Sequence, residues 1–221
     1  MTTISVENYL KALYTLGQRA PSQVKTKALA NHLGISAPSV TSMLKALSHD
    51  GLVDYTRYQG ARLTPEGRRL ALGVIRKHRL VEMFLVQTLG YSWDEVHAEA
   101  ERLEHAVSDE LAARMERHLC FPQFDPHGDP IPGADGSLPV RQTVGLSRMR
   151  VGDKGCVVRV LDQHADVLQH LKSIGLVPGQ GVEVEDVLDF DGQMSLRLTD
   201  VDAPIWVSPA LCALIQVEPQ E

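Results

Sequence analysis

Apolar residues recur at helical spacing from the start of the chain. Ile4, Tyr9, Leu10, Leu13, Tyr14 and Leu16 share one face of a 3.6-residue period, which predicts a helix over 4–17 closed by Gly17. A polar stretch, Gln18–Gln23, leads to a second helix near Val24–Leu33. Gly34 makes a turn. Ser36 caps a third helix, which tolerates Pro38 in its first turn, runs to about Asp50 and is ended by Gly51. Two short strands, 52–56 and 61–63, flank Arg57-Tyr58-Gln59-Gly60. Thr64-Pro65-Glu66 opens a long helix to about Leu89, with proline at its first position. Gly90-Tyr91-Ser92 breaks it. Ser92 then caps a helix from Trp93 to about Ala106, and Ser108 caps another to about Leu119.

Beyond this point the pattern changes. Residues 120–142 carry five prolines and three glycines with few aliphatic residues, which predicts a linker or an extended ordered loop. From Val144 the period shortens towards two. Residues 157–160, 181–184 and 195–198 read as strands between turns, with a short helix at 168–174. The whole reads as mainly α with a small β domain: 1–64, a winged helix-turn-helix; 65–142, a helical region with a Pro-rich loop; 143–221, a small β-barrel.

The helix-turn-helix rests on spacing. Ala30, four residues before Gly34, permits close packing; Val40, six after it, anchors the following helix in the core. That helix presents Ser36, Ala37, Pro38, Ser39, Thr41, Ser42 and Lys45, small side chains suited to base edges and thymine methyls beside a phosphate-reaching lysine. Lys27 and the hairpin residue Arg57 join them, with Tyr58 and Arg62 on the same wing.

Charge sharpens this picture. The net charge is −6, yet residues 1–80 hold 12 Lys and Arg against 4 Asp and Glu, or +8; the remaining residues hold 10 against 24, or −14. A basic first third suits a polyanion, and an acidic remainder suits divalent cations. No run approaches the roughly 20 apolar residues of a membrane span, and the first residues lack the basic and apolar regions of a signal peptide. Cys120, Cys156 and Cys212 are widely spaced and odd in number, which predicts free thiols in the cytoplasm.

The candidate chemistry lies in the middle helices. His97, Glu101, Glu104 and His105 fall at −4, 0, +3 and +4 about Glu101, one face of a continuous helix; His78 and Glu82 form another i, i+4 pair. These six groups could converge on one or two cations. Imidazole and carboxylate without thiolate suit Mn²⁺ or Fe²⁺, with Zn²⁺ or Co²⁺ as further candidates. A di-iron carboxylate enzyme would need Glu-x-x-His on two helices; Arg102 stands three residues before His105, so no enzyme is expected.

The chain resembles the diphtheria toxin repressor family of iron-dependent and manganese-dependent regulators, most closely its three-domain manganese-responsive members. The resemblance is carried by Glu7-Asn8-Tyr9-Leu10, Ser36-Ala37-Pro38-Ser39-Val40-Thr41, Arg76-Lys77-His78-Arg79-Leu80, Glu101-x-x-Glu104-His105 and Pro126-His127-Gly128-x-Pro130-Ile131-Pro132. It implies a homodimer, operator binding as double-stranded DNA, a C-terminal SH3-like domain, and metal positions at His78, Glu82, His97, Glu101, Glu104 and His105. It also implies a first-helix ligand at Asn8, where relatives carry Met or Asp, and a second site using Asp125 and His127, with Glu82 and a barrel acid such as Asp162 or Asp166. Lys11 stands where some short manganese regulators use Glu. Glu101 in place of a thiolate leans towards Mn²⁺. His164 is a further candidate, while His32, His49, His118 and His170 read as surface or packing residues.

The expected function is a dimeric, metal-dependent repressor of metal-transport genes with no membrane partner and no small organic substrate. The alternative is a metal-independent winged-helix adaptor whose barrel binds a peptide or protein; DNA binding with and without chelator separates the two.

Overall fold

A computed structural model describes residues 3–19, 23–201 and 203–220. Residues 20–22 of the predicted polar stretch lie outside them. Two compact units emerge, each built from separate stretches of chain. The first comprises 1–78, 104–108 and 132–137; the second 79–103, 109–131 and 138–221.

In the first unit, α1 (Ile4–Arg19) runs two residues past Gly17, since glycine weakens a helix without forbidding it. α2 (Thr26–Leu33) and α3 (Ala37–His49) follow. They meet at Gly34, whose φ of +66° is the left-handed conformation that glycine adopts without a Cβ penalty. Val24 lies before α2 and instead bridges Ala61. Ser36 caps α3, its hydroxyl accepting from the Ser39 N–H at 3.3 Å. β1 (Val53–Thr56) and β2 (Gly60–Leu63) pair antiparallel. Leu10, Leu13, Leu29, Val40, Leu44, Leu47, Val53 and Ala61 are buried and form the core of this head. α4 (Pro65–Leu89) begins with the Thr64 hydroxyl accepting from the Gly67 N–H at 3.1 Å.

In the second unit, α5 (Val96–Leu103) and α6 (Asp109–His118) precede the Pro-rich loop. The loop is ordered: Phe124 bridges Pro130, and the Asp125 N–H donates to the Asp129 carbonyl at 2.9 Å. The barrel follows as β3 (Val144–Gly145), β4 (Lys154–Val160), α7 (Ala165–Ser173), β5 (Gly181–Val187), β6 (Met194–Leu198), β7 (Ile205–Val207), α8 (Pro209–Cys212) and β8 (Ile215–Gln220). Its antiparallel sheet has the order β3-β8-β4-β5-β6-β7 around a core including Leu146, Val157, Leu168, Leu176, Leu196 and Ile215. The sequence pattern missed β7 and β8, which are strands through their pairing with β6, β4 and β3, and the one-turn helix α8. Among the described residues no helix is long and apolar enough to cross a membrane.

Candidate metal centre and nucleic-acid interface

The candidate DNA-contacting residues of the first unit lie at its surface. Lys27, Ser36, Ala37, Pro38, Ser39, Ser42, Lys45 and Arg57 are exposed and Thr41 half-buried, while Val40 and Leu44 turn inward. Thr41 donates to the Ala37 carbonyl at 2.9 Å. In the hairpin, Arg57 lies 4.8 Å from the Tyr58 ring centroid, and Tyr58 is 83% exposed. Arg62 is engaged by Asp54 at 2.9 Å.

The same unit holds the first cluster of ionisable groups. Glu7 and Lys11 stand one turn apart on α1. His105 Nδ1 meets Glu7 Oε2 at 2.6 Å. Lys11 Nζ donates to Glu104 Oε2 at 2.6 Å and lies 3.1 Å from His78 Nδ1, which itself reaches the same Glu104 oxygen at 2.6 Å. His105 Nε2 lies 3.4 Å from Glu104 Oε1. The Glu104 side chain is fully buried and that of Lys11 only 16% exposed. Asn8 is half-buried, and its side chain makes no hydrogen bond among the described residues; the helical period turns it about 100° away from Glu7.

The second unit holds the other cluster. Glu82, Asp125 and His127 are buried, and one ligand atom of each lies within 4.8 Å of the others. His127 Nε2 is 2.7 Å from the Trp93 carbonyl. A carbonyl only accepts, so Nε2 carries the proton. Burial holds the His127 pKa below its ordinary value and favours the neutral ring, leaving Nδ1 as a lone pair. That lone pair faces Glu82 Oε1 at 3.8 Å and Asp125 Oδ1 at 3.9 Å. Two backbone N–H groups, of His127 and Asp129, donate to Asp125 Oδ1, and Arg79 Nε lies 3.5 Å from Oδ2. Glu82 Oε1 also accepts from His97 Nδ1 at 3.1 Å, and His97 Nε2 lies 3.7 Å from Glu101 Oε1. A buried lone pair aimed at two carboxylates is repulsive unless a proton or a cation lies among them. Two carboxylates and an imidazole fit a borderline-to-hard dication.

The helix-face reading needs correction. α5 ends at Leu103, so Glu104 and His105 occupy a turn rather than the face that carries His97 and Glu101. Trp93 likewise lies in a turn before α5. Of the six sequence-predicted groups, His78, Glu104 and His105 belong to the first unit, where His78 meets Glu104, and Glu82, His97 and Glu101 belong to the second, where His97 meets both carboxylates. Of the barrel acids, Asp162 is met by His164 at 2.5 Å, and the exposed Asp166 accepts from the Val167 N–H. His32, His49, His118 and His170 are exposed. Sequence reasoning missed the roles of Glu7, Lys11, Arg76 and Arg79. Arg76 donates to the Pro132 carbonyl at 2.8 Å, and Arg79 to that of Pro130, so the arginines of the Arg76–Arg79 run hold the Pro-rich loop. No local spacing signals a contact between residues more than fifty positions apart.

Asp125 carries a pH consequence. Burial, and then the charges of Glu82 and Asp129, push its pKa well above the ordinary carboxylate range, against Arg79. A folded-state pKa above the unfolded one means stability that is present at low pH and lost as pH rises through the folded value. A cation held by Asp125 would displace that proton and remove this loss, so stabilisation by Mn²⁺ is expected to grow as pH rises. Differential scanning calorimetry at pH 5.5 and pH 8, with Mn²⁺ and with chelator, measures it; an equal shift at both pH values would contradict the assignment.

A helix-turn-helix with a hairpin wing, helices carrying buried carboxylate–imidazole clusters and a small barrel together define a metal-responsive DNA-binding regulator. Residues 1–61 match the iron dependent repressor N-terminal DNA binding domain, 64–133 the iron dependent repressor metal binding and dimerisation domain, and 144–219 the FeoA domain. The chain belongs to the iron-dependent repressor family of metal-dependent transcriptional regulators. It is 35% identical over 193 residues to the iron-dependent repressor IdeR of Mycobacterium leprae, covering 82% of this chain and 84% of that one. It is 32% identical over 201 residues to the diphtheria toxin repressor of Corynebacterium glutamicum, covering 91% and 80%. Among solved structures, a manganese-dependent transcriptional repressor in complex with manganese superposes with a TM-score of 0.89 at 41% identity, over 97% of this chain and all of that one. ScaR with bound Zn²⁺ gives 0.79 at 34% identity, over 96% and 98%.

Proposed function

We propose that this protein is a cytoplasmic, homodimeric repressor of metal-transport genes, activated for operator binding by Mn²⁺ held at Glu82, Asp125 and His127. The observation that carries the reading is the His127 ring, whose tautomer is set by the Trp93 carbonyl so that Nδ1 points as a lone pair at two buried carboxylates. His97 and Glu101 flank this group through Glu82. A bound dication would add positive charge among these groups, beside that of Arg79 at Asp125. The all-oxygen-and-nitrogen donor set favours Mn²⁺, then Fe²⁺, with Zn²⁺ or Co²⁺ able to enter in vitro. The manganese complex of a similar repressor and the Zn²⁺-bound ScaR support the same preference for divalent ions.

The protein's own residues do the rest. Glu82 lies on α4, and Asp125 and His127 on the ordered loop. The His127 carbonyl accepts from the Val160 N–H of β4 at 2.9 Å. Neutralising the three groups therefore joins helix, loop and barrel strand. On DNA, the two recognition helices of a dimer must stand about one turn, ~34 Å, apart. An ion that binds only the competent arrangement raises its population, with a typical coupling of about 1–3 kcal/mol. Ser36, Ala37, Pro38, Ser39, Thr41 and Ser42 face the bases, while Lys27, Lys45 and Arg57 meet phosphates.

Selection of duplex DNA from a random pool tests this. A palindromic sequence is expected to be enriched with Mn²⁺ and not with chelator; equal enrichment in both would favour the metal-independent adaptor. On the selected duplex, affinity is expected to fall steeply with salt despite the acidic pI of 5.8, by about 0.9 log unit per log unit of salt for each phosphate contacted. A slope near zero would sink the DNA interface.

A further inference from the structure

Glu104, His105 and His78 are ligand-type residues, and the resemblance places metal on them, but the structure already has a cation there. Lys11 Nζ donates to Glu104 Oε2 at 2.6 Å and stands 3.1 Å from His78 Nδ1. A lysine ammonium has three donors and no acceptor, so it meets a carboxylate as a metal ion would, but carries its charge on a covalent tether. Its position on α1 is set by the backbone: Glu7 and Lys11 are one helical turn apart, and Glu7 takes His105 Nδ1 at 2.6 Å. The two α1 side chains thus engage both ends of the Glu104–His105 pair. The Glu104 side chain is 0% exposed and that of His105 10%, and a second positive charge brought beside the ammonium would be repelled at close range and low dielectric. This cluster does not fit a dication while Lys11 is in place.

We propose that Lys11 is a built-in substitute for a metal ion, which closes the Glu7–His78–Glu104–His105 cluster to divalent cations and fastens α1 to the Glu104 turn whether or not metal is present. It follows that no ion is held at this cluster, and that an ion at Glu82–Asp125–His127 acts without a companion there. The inference rests on the proposed function for the location of that ion.

The test is the number of Mn²⁺ ions bound per chain. It is read by equilibrium dialysis and by the electron paramagnetic resonance signal of free Mn²⁺, on the full-length protein and on Lys11→Glu, Lys11→Gln, His127→Ala and Glu104→Gln. Relative to the unaltered protein, Lys11→Glu is expected to bind one ion more, His127→Ala one fewer and Glu104→Gln the same number. Lys11→Gln, which is one atom shorter and keeps hydrogen-bonding capacity but not the charge, guards against misfolding in Lys11→Glu and is also expected to gain an ion, held more weakly. Two ions in the unaltered protein, one lost with His127→Ala and the other with Glu104→Gln, would overturn this inference and leave the proposed site standing. A single ion lost with Glu104→Gln but kept in His127→Ala would overturn both. No gain of an ion in either Lys11 variant, with their folds intact by circular dichroism, would show that the lysine is not what closes the cluster.

Discussion

His127→Ala is expected to remove the metal response of DNA binding and leave the metal-independent component in place. The substitution deletes the Nδ1 lone pair that faces Glu82 and Asp125 at 3.8 and 3.9 Å. Two buried carboxylates are then left without the imidazole that completes the site. If metal and DNA are coupled by about 1–3 kcal/mol, the affinity with Mn²⁺ should fall about 5- to 150-fold, to the value measured with chelator. The basic face of α3 and the hairpin belongs to the other unit, so salt-dependent affinity for DNA of arbitrary sequence should survive. Truncation also orphans the Trp93 carbonyl and opens a cavity where a side chain was fully buried, at a cost of about 1–3 kcal/mol in stability. Fluorescence anisotropy on the selected duplex, beside a thermal melt, separates the two effects. A variant that melts lower but keeps a full Mn²⁺ response would move the regulatory ion elsewhere.

Gly128→Ala is the second large effect and acts through the backbone. Gly128 has a φ of +87°, and a Cβ there would lie 1.8 Å from the Val158 carbonyl oxygen and 2.7 Å from Arg159 Cα. Both are main-chain atoms of β4 and cannot rotate aside. The loop must therefore leave the strand, breaking the bond from the Val160 N–H to the His127 carbonyl and displacing the imidazole. Positive φ for an L side chain costs about 1–2 kcal/mol before the clash is counted, and a total of at least about 3 kcal/mol belongs to the severe class of substitutions. At about 2–4 °C per kcal/mol for a chain of this size, the melting temperature should drop by about 6–12 °C. Mn²⁺ stabilisation should vanish with it. An unchanged melt would show that the loop does not dock as described.

Much of the architecture was legible in the chain itself. The head could be read because its signals are local: Gly34 needs a left-handed turn, Ser36 needs only the N–H of Ser39, and Val40 needs only a helical period to face inward. The Pro-rich loop announced itself by composition, although not its order. The barrel was partly visible. β4 to β6 alternate clearly, whereas β8 pairs with β4 and β3, from far earlier in the chain, and its pattern fades after Val217 into Glu218, Pro219 and Gln220.

The site divides the same way. Residue types and their helical spacing named the carboxylates and imidazoles, because i, i+4 neighbours share a face wherever a helix continues. Where α5 stops at Leu103 that reasoning stops too, and Glu104 and His105 point by the geometry of a turn. The partners then come from far along the chain: Lys11 reaches Glu104 across 93 residues and Glu7 reaches His105 across 98. The sequence by itself determined which elements form and which chemical groups are available. Only the tertiary structure decided that Lys11 meets Glu104, and that Trp93 sets the proton on His127. Hydrogen bonds act over about 3 Å, and nothing short of the folded chain brings such distant residues that close.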